Sequence, residues 1–410
     1  MAKEVLKTQD LEFCSRPRLL GLQKLSYNGL DLAFALYDAY WREMRKICVV
    51  HLFNSNRVQD FRPIREDEVS RVLESISKLA DDSKPVNLTE AMMALTISAI
   101  RRVAFGKGFE EGGKEAKRFH ALLNETQAMF VGFFFSNYIP YVGWVVDKLC
   151  GLLSRLEKNF HEFDVFYQKL IDEHLDLRRE KPEYENILEV VLQICKDRSS
   201  KVQRTYEHIK AILMTQVHAA VIWAMSFLMK NPETMKEVQE EIRSLIGKKG
   251  FVDEDDIQQL PYLEAVVKET IRLQPTVPLL IPRETVDKCT LRGYDIPAKT
   301  LVYVNVWAIG RDPEAWENPL EFCPERFLDS YIDMKGQDYE LIPFGAGRRI
   351  CPGIFIGIAN MDLSLANLLY KFDWEMPAEM TREDIDTDNV LPGIAVHQRE
   401  HLRLMAKKYI

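Results

Sequence analysis

The sequence lacks most of the features that would place it in a special class. No apolar run marks its amino end, MAKEVLKTQD, so neither a signal peptide nor an N-terminal anchor is legible there. Positive charge is in deficit: 54 Lys and Arg against 62 Asp and Glu give a formal net charge of -8. That balance excludes general binding to a nucleic-acid backbone. The 7 cysteines are odd in number and no two stand at a CxxC spacing, which argues against both a disulfide framework and a zinc site. There is no internal repeat, no Gly/Ser linker and no nucleotide-binding glycine fingerprint. With 410 residues, 47% of them hydrophobic, the chain has ample material for one large core, and residues 1–410 are expected to form a single domain.

What is present is helix. Ala211 to Met229 runs 19 residues without Asp, Glu, Lys or Arg, near the length that spans a bilayer. Thr215, Gln216, His218 and Ser226 interrupt it, so a helix buried through a helical protein is the expectation. Thr126 to Val146 collects Phe130, Phe133, Phe134, Phe135, Tyr138, Tyr141 and Trp144 around Gly132, Pro140 and Gly143. Those rings either line a core or dip into a lipid interface. Asn231-Pro232 predicts a side-chain-capped helix start that Gly247 closes, and Pro261 opens a further helix that Pro275 ends. Arg178 to Asn186 reads as an exposed loop. Thr290 to Trp307 reads as strand, with Val302, Val304 and Val306 alternating. After Asp312 the pattern is irregular until a helical run near Ile354 to Phe372. The fold class expected is mainly α with a small, incomplete β-sheet.

The chemistry concentrates in Phe344 to Gly353, FGAGRRICPG. Three glycines and a proline in ten residues exclude regular structure, and helix resumes just beyond. Cys351 is thereby placed at the amino end of a helix, where partial positive charge favours a thiolate, and Arg348 and Arg349 add charge nearby. Gly345, Gly347 and Gly353 would let backbone approach a flat or bulky group and leave N–H groups free to face the sulfur. These are the needs of a thiolate metal ligand; a buried cysteine in a glycine-rich turn is the plainer alternative. Glu269 and Arg272, at i and i+3, share one helix face. Glu240 and Arg243 repeat the same spelling and read as a solvated surface pair.

The pattern FxxGxRxCxG, filled by Phe344, Gly347, Arg349, Cys351 and Gly353, resembles the haem-binding loop of the cytochrome P450 superfamily, itself the standard example of cysteine-thiolate haem ligation. The resemblance implies that Cys351 is the axial iron ligand of haem b, with Phe344 beside the sulfur and Gly347 and Gly353 shaping the loop. It implies that Arg349, Trp41 and Arg45 of the WxxxR segment, and Arg283 of Ile281-Pro-Arg-Glu284 reach the haem propionates. Glu269, Arg272 and Arg326 of Pro324-Glu-Arg-Phe327 then resemble a buried ion triad that fastens the loop region. Phe34, Phe134, Val277, Leu280 and Ile394 would line the substrate pocket. Arg42, Lys46 and Arg348 would share the face behind the haem, the landing site of an acidic electron donor, here an NADPH-dependent diflavin reductase.

The likeness extends over nearly the whole chain. KEVLKTQDLEFCSRP, YDAYWREMRKIC, LPYLEAVVKETIRLQP and LLYKFDWEMP resemble plant endoplasmic-reticulum monooxygenases, nearest their aldoxime-oxidising group. The resemblance implies a monomer on the cytosolic face of that membrane. It would oxidise a small apolar or oxime-bearing molecule in plant secondary metabolism with NADPH and O2. Two departures stand out. The chain opens directly on the helix beyond the family's membrane span, proline-rich hinge and first strands. Its central helix also lacks the family's Ala-Gly-x-Asp/Glu-Thr element and is about seven residues short, roughly 10 Å of helix. Thr215 and His218 are the polar candidates left to deliver protons there. A haem-thiolate isomerase or dehydratase, or a non-catalytic product, is the alternative expectation.

Overall fold

A computed structural model describes residues 1–106, 114–139, 141–176, 186–196, 207 and 220–409. Helices carry it. Pro261–Leu273 starts on its proline, a position where the missing N–H costs nothing, and every residue from Ala265 to Leu273 is buried. Ile354–Lys371 runs beside it with Leu363 to Tyr370 buried. Pro232–Ile246 is one-sided, with Met235, Val238, Gln239, Ile242 and Ile246 on the inner face, and it ends at Gly247 in the left-handed region, φ +57°. Ala220–Lys230 is buried almost all round and closes the main core together with Arg62–Asp81. Among the described residues no helix is long and apolar enough to cross a membrane.

A second core gathers Met44 and Ile47 of helix Ala39–Ile47 and Phe163 and Tyr167 of Leu152–Leu175 into one buried cluster. A third, smaller one sits under the cysteine loop: Val5, Leu6, Phe13, Val304, Ile342 and Ala346. The β structure is sparse. Val86–Asn87, Arg403–Lys408 and Phe372–Glu375 form a three-stranded antiparallel sheet with the C-terminal strand central, registered as Val86 to Leu404 and Phe372 to Lys408. Three two-stranded ladders pair Arg283–Glu284 with Leu301–Val302, Cys289–Leu291 with Tyr294–Ile296, and Val390–Leu391 with His397–Gln398. The mainly α reading with little sheet matches this architecture.

Several local expectations are corrected. The strand expected through Val306 stops at Val302, because Asn305 accepts the Ala308 N–H at 2.9 Å and starts a short helix, Val306–Ile309. Asn231 makes no side-chain cap; its amide donates back to Phe227 O at 2.8 Å. Arg243 is no solvated partner of Glu240. It is largely buried, pairs with Asp373 at 2.8 Å and lies 3.8 Å over the Tyr409 ring. The expected 178–186 loop lies outside the described residues except Asn186, as does the first half of the charge-free run.

Candidate cofactor site

The cysteine loop is shaped by steric demands that explain its glycines. Gly347 has φ +69°, and a Cβ there would collide with the Leu6 carbonyl oxygen. Gly345 has φ +72° and faces Leu280. The Cys351 N–H donates to Phe344 O at 3.0 Å and closes the loop just before helix Ile354–Lys371. Gly353 leaves room beside the sulfur, since a Cβ there would sit 4.0 Å from Cys351 Sγ. A Cβ at Gly357 would lie 3.8 Å from the Phe344 ring, so that ring packs on the first turn of the helix. Burial pushes the Cys351 thiol up, while the Gly353 amide and the Arg45 charge pull it back. The charge facing the sulfur is thus Arg45. Arg348 is half-exposed and paired with Asp10 at 2.8 Å, and Arg349 turns the other way.

Four arginines converge behind this loop. Arg349 gives Nε to Cys14 O at 2.6 Å and Nη2 to Ala35 O at 2.7 Å, while its buried Nη1 finds no partner among the described residues. Its guanidinium lies 4.5 Å over the Trp41 ring. Arg283 reaches Phe13 O at a long 3.3 Å. Arg16 donates to Ala33 O, Ile281 O and Pro282 O at 2.7–2.8 Å. Arg45 faces Cys351 and Cys48. Arg16, Arg283 and Arg349 are each 4–8% exposed. Burial pushes Arg283 down to about 10; burial joined by repulsion from neighbouring arginines pushes Arg349 down to about 10 and Arg16 well below its ordinary value.

Among the described residues none of the four forms an ion pair; the acids whose charge reaches them are Asp31 and Asp10. Asp31 is a weak counter-ion, because burial raises its own carboxyl to about 7. Isolated buried charges each cost several kcal/mol unless matched. A forked donor set of this kind suits carboxylates. The residues present therefore fit a flat group with two carboxylate arms and a metal that takes a thiolate, which is the composition of haem.

The other expected site residues sort unevenly. Trp41 is beside the cluster, but its indole N–H is taken by Leu32 O at 3.0 Å, leaving it as a ring under Arg349. Glu269, Arg272 and Arg326 come together. Arg272 grips both Glu269 oxygens at 2.6 and 2.7 Å, Arg326 Nε reaches Glu269 at 3.2 Å, and the Cys323 N–H adds a fourth contact at 2.8 Å. The Phe34 ring lies tilted against Phe130, centroids 5.2 Å apart. Val277 and Leu280 lie on one loop, which Val396 N–H to Thr276 O, 2.8 Å, ties to the turn carrying Ile394. Phe134 belongs elsewhere: it is 1% exposed in a small core with Leu25, Met129 and Leu156, under Gly21 and Gly132. Thr215 and His218 lie outside the described residues. Sequence reasoning passed over Arg16 and Asp31; Arg16 sits in the CSRP segment, but nothing local signals that it is buried.

Comparison with known proteins decides the family. The family model named Cytochrome P450 matches residues 1–404. The chain belongs to the cytochrome P450 family. As an enzyme of that family it is an oxidoreductase, with haem iron and a cysteine thiolate as the family's cofactor arrangement. It is 50% identical to the 5-OH-xanthotoxin synthase and to the 6,7,8-trihydroxycoumarin synthase of Pastinaca sativa, over all of this chain and 83% of each of those proteins. It is 44% identical to cytochrome P450 71A1 of Persea americana, covering 84% of it. The first alignment spans 424 positions, 14 more than this chain's 410 residues, so at least that many positions of the relative have no counterpart here. Two zebra fish cytochrome P450 structures, solved with abiraterone and with progesterone, match with TM-scores of 0.82 and 0.83 at 23% and 24% identity, over 99% of this chain and 91% of theirs. That likeness carries the fold alone.

Proposed function

We propose that this cytochrome P450, acting as one domain over residues 1–410, inserts oxygen into a small planar aromatic lactone of the coumarin type, with electrons from NADPH through a separate reductase. The observation that carries the cofactor part is the set of four guanidiniums facing no ion-pair partner among the described residues, beside a cysteine next to whose sulfur Gly353 places no side chain. Thiolate-bound haem supplies the dioxygen chemistry when present. Cys351 holds the metal, and Arg45, beside the sulfur, favours the anionic ligand. Arg16, Arg283 and Arg349 hold the carboxylate arms and exclude water from them. Phe34, Val277, Leu280 and Ile394 give an apolar wall that orients a flat substrate. Thr215 and His218 are assigned as the proton-bearing groups on sequence grounds.

The substrate class rests on the relatives named for coumarin and furanocoumarin products at 48–50% identity. It replaces the aldoxime expected from sequence, which these relatives do not support. The exposed cations Arg42 and Lys46 offer the reductase a basic patch, whereas Arg348 is neutralised by Asp10. Exposed rings between Val131 and Leu149 offer a membrane surface, consistent with residence at the endoplasmic reticulum.

The test is the ferrous–carbon monoxide spectrum of purified protein, followed by product formed per NADPH consumed with xanthotoxin and reductase. The Cys351→Ala variant loses the red-shifted Soret band and Cys323→Ala keeps it. An unchanged spectrum in Cys351→Ala would remove the ligand assignment. Product from an aldoxime but none from any coumarin would remove the substrate class.

A further inference from the structure

Beside the arginine cluster lies a segment with neither helix nor strand to set its shape. It is entered through three consecutive left-handed residues, Tyr27, Asn28 and Gly29, and runs from Leu30 to Ala35. Four of its carbonyls are held by side chains from elsewhere. Tyr40 OH donates to Leu30 O at 2.5 Å, Trp41 Nε1 to Leu32 O at 3.0 Å, Arg16 Nε to Ala33 O at 2.7 Å and Arg349 Nη2 to Ala35 O at 2.7 Å. Within the strap one side chain folds back on the backbone: Asp31 Oδ1 accepts the Phe34 N–H at 2.8 Å. Asp31 is 4% exposed and Phe34 6%. Burying a carboxyl among backbone groups is expensive, and no ion pair to Asp31 offsets it among the described residues. What it gains is a fixed turn at Phe34, the residue assigned above to the substrate wall. The same turn aims Ala33 O and Ala35 O at two of the four cluster arginines.

We propose that Asp31 is a positioning residue: by holding the Phe34 amide it fixes the turn of the Leu30–Ala35 strap, so that the Phe34 ring stands at the substrate wall. This deepens, and rests on, the haem-thiolate reading above. Asp31 touches neither substrate nor cofactor in this assignment; it acts through Phe34. The carbonyl oxygen of asparagine accepts the same N–H, whereas alanine leaves that buried donor unmet.

The experiment uses two probes that bind haem iron through nitrogen, imidazole and 4-phenylimidazole, and reads the ratio of their dissociation constants by absorbance. The ratio isolates what the pocket contributes to the phenyl ring and cancels any general loss of folded protein. In wild-type protein 4-phenylimidazole is expected to bind more tightly. The advantage falls about tenfold in Asp31→Ala and equally in Phe34→Ala, and the double variant loses no more than either alone, as residues acting through one contact do. Asp31→Asn stays within about twofold, since it keeps the acceptor. The ferrous–carbonyl spectrum is recorded first and stays unchanged in all four variants. Losses that simply add, an unchanged ratio in Asp31→Ala, failure of asparagine to rescue, or no phenyl advantage in wild type each overturn the assignment. So does loss of the carbonyl spectrum in Asp31→Ala alone. Absence of that spectrum in wild-type protein is a different result, seen before either probe is added, and it overturns the cofactor reading itself.

Discussion

Replacing Glu269 by Gln tests whether burial, rather than spelling, gives the Glu-x-x-Arg pattern its weight. The carboxylate is fully buried and takes both forks of Arg272, Nε of Arg326 and the N–H of Cys323. Arg272 is itself fully buried and gives its remaining donors to the carbonyls of Gly310, Pro319 and Glu321. Those carbonyls bind the guanidinium but do not neutralise it. The amide keeps the shape and deletes the charge, leaving one arginine wholly and a second largely without a counter-ion. Breaking such a pair costs about 3–5 kcal/mol, against a typical stability of about 5–15 kcal/mol. Trp316, whose ring lies 5.2 Å from the Arg272 guanidinium, makes tryptophan fluorescence in a urea titration a local reporter. The control is Glu240→Gln, identical in spelling but exposed and only 3.7 Å from a flexible Lys236; it should cost less than about 0.5 kcal/mol. A Glu269→Gln protein within about 1 kcal/mol of wild type would refute the reasoning and mean that the carbonyls alone carry Arg272.

Gly347→Ala is expected to leave most of the protein folded but to abolish haem uptake, because the left-handed backbone and the Leu6 carbonyl both forbid a Cβ; pigment per mole of protein measures this. Asp147 carries a pH prediction. Burial alone would raise its carboxyl, but the Ser136 hydroxyl and amide and the Phe135 amide more than offset this and hold it below its ordinary value. A depressed group stabilises above its unfolded value near 3.8 and loses that stabilisation as pH falls through the folded value. Proteolysis at the 131–149 segment should therefore differ between wild type and Asp147→Asn at about pH 7, and the difference should shrink as pH falls below 3.8. Finally, Phe133→Ser with Tyr138→Ser should weaken flotation with liposomes several-fold, because those rings are 59% and 53% exposed. Phe134→Ser should instead destabilise the fold, since its ring is 1% exposed under two glycines.

The cysteine loop was legible in the sequence because each constraint on its backbone leaves its own residue behind. A left-handed turn against a carbonyl demands glycine at 347, and the room beside the sulfur suits glycine at 353. Helix limits were legible for the same reason at Pro261 and Gly247. Side-chain partners were not. Asn231 has the right spelling for a cap, yet the preceding helix offers Phe227 O at 2.8 Å and wins. Phe133 and Phe134 are adjacent and identical, and one is on the surface while the other is core. A run of aromatic residues cannot show this, because the alternation depends on which way the chain turns after Phe130. Trp41 fills the expected motif but spends its donor on Leu32 O, which comes from a strap with no periodic pattern of its own.

Charge, read through partners rather than composition, separates what holds the fold from what holds the cofactor. Arg65, Arg243 and Arg272 are largely buried, and each finds an acid within the chain: Glu254 at 2.7 Å, Asp373 at 2.8 Å and Glu269 at 2.6 Å. Removing any of them should be felt in stability whether or not a cofactor is bound. Arg16, Arg283 and Arg349 are as deeply buried, but among the described residues they donate to carbonyl dipoles, which satisfy donors without cancelling charge. Guanidiniums in so small a volume repel one another, and this repulsion joins burial in lowering Arg349 to about 10 and Arg16 well below its ordinary value, while burial alone lowers Arg283 to about 10. A chain with eight more acids than bases had carboxylates to spare for these positions, yet among the described residues the acids that reach them are Asp31, whose burial keeps it a poor counter-ion, and Asp10, which is paired with Arg348. The charge that completes the cluster therefore has to arrive with a ligand. An acid built into the chain at that point would compete with the carboxylate arms of the haem for the same donors.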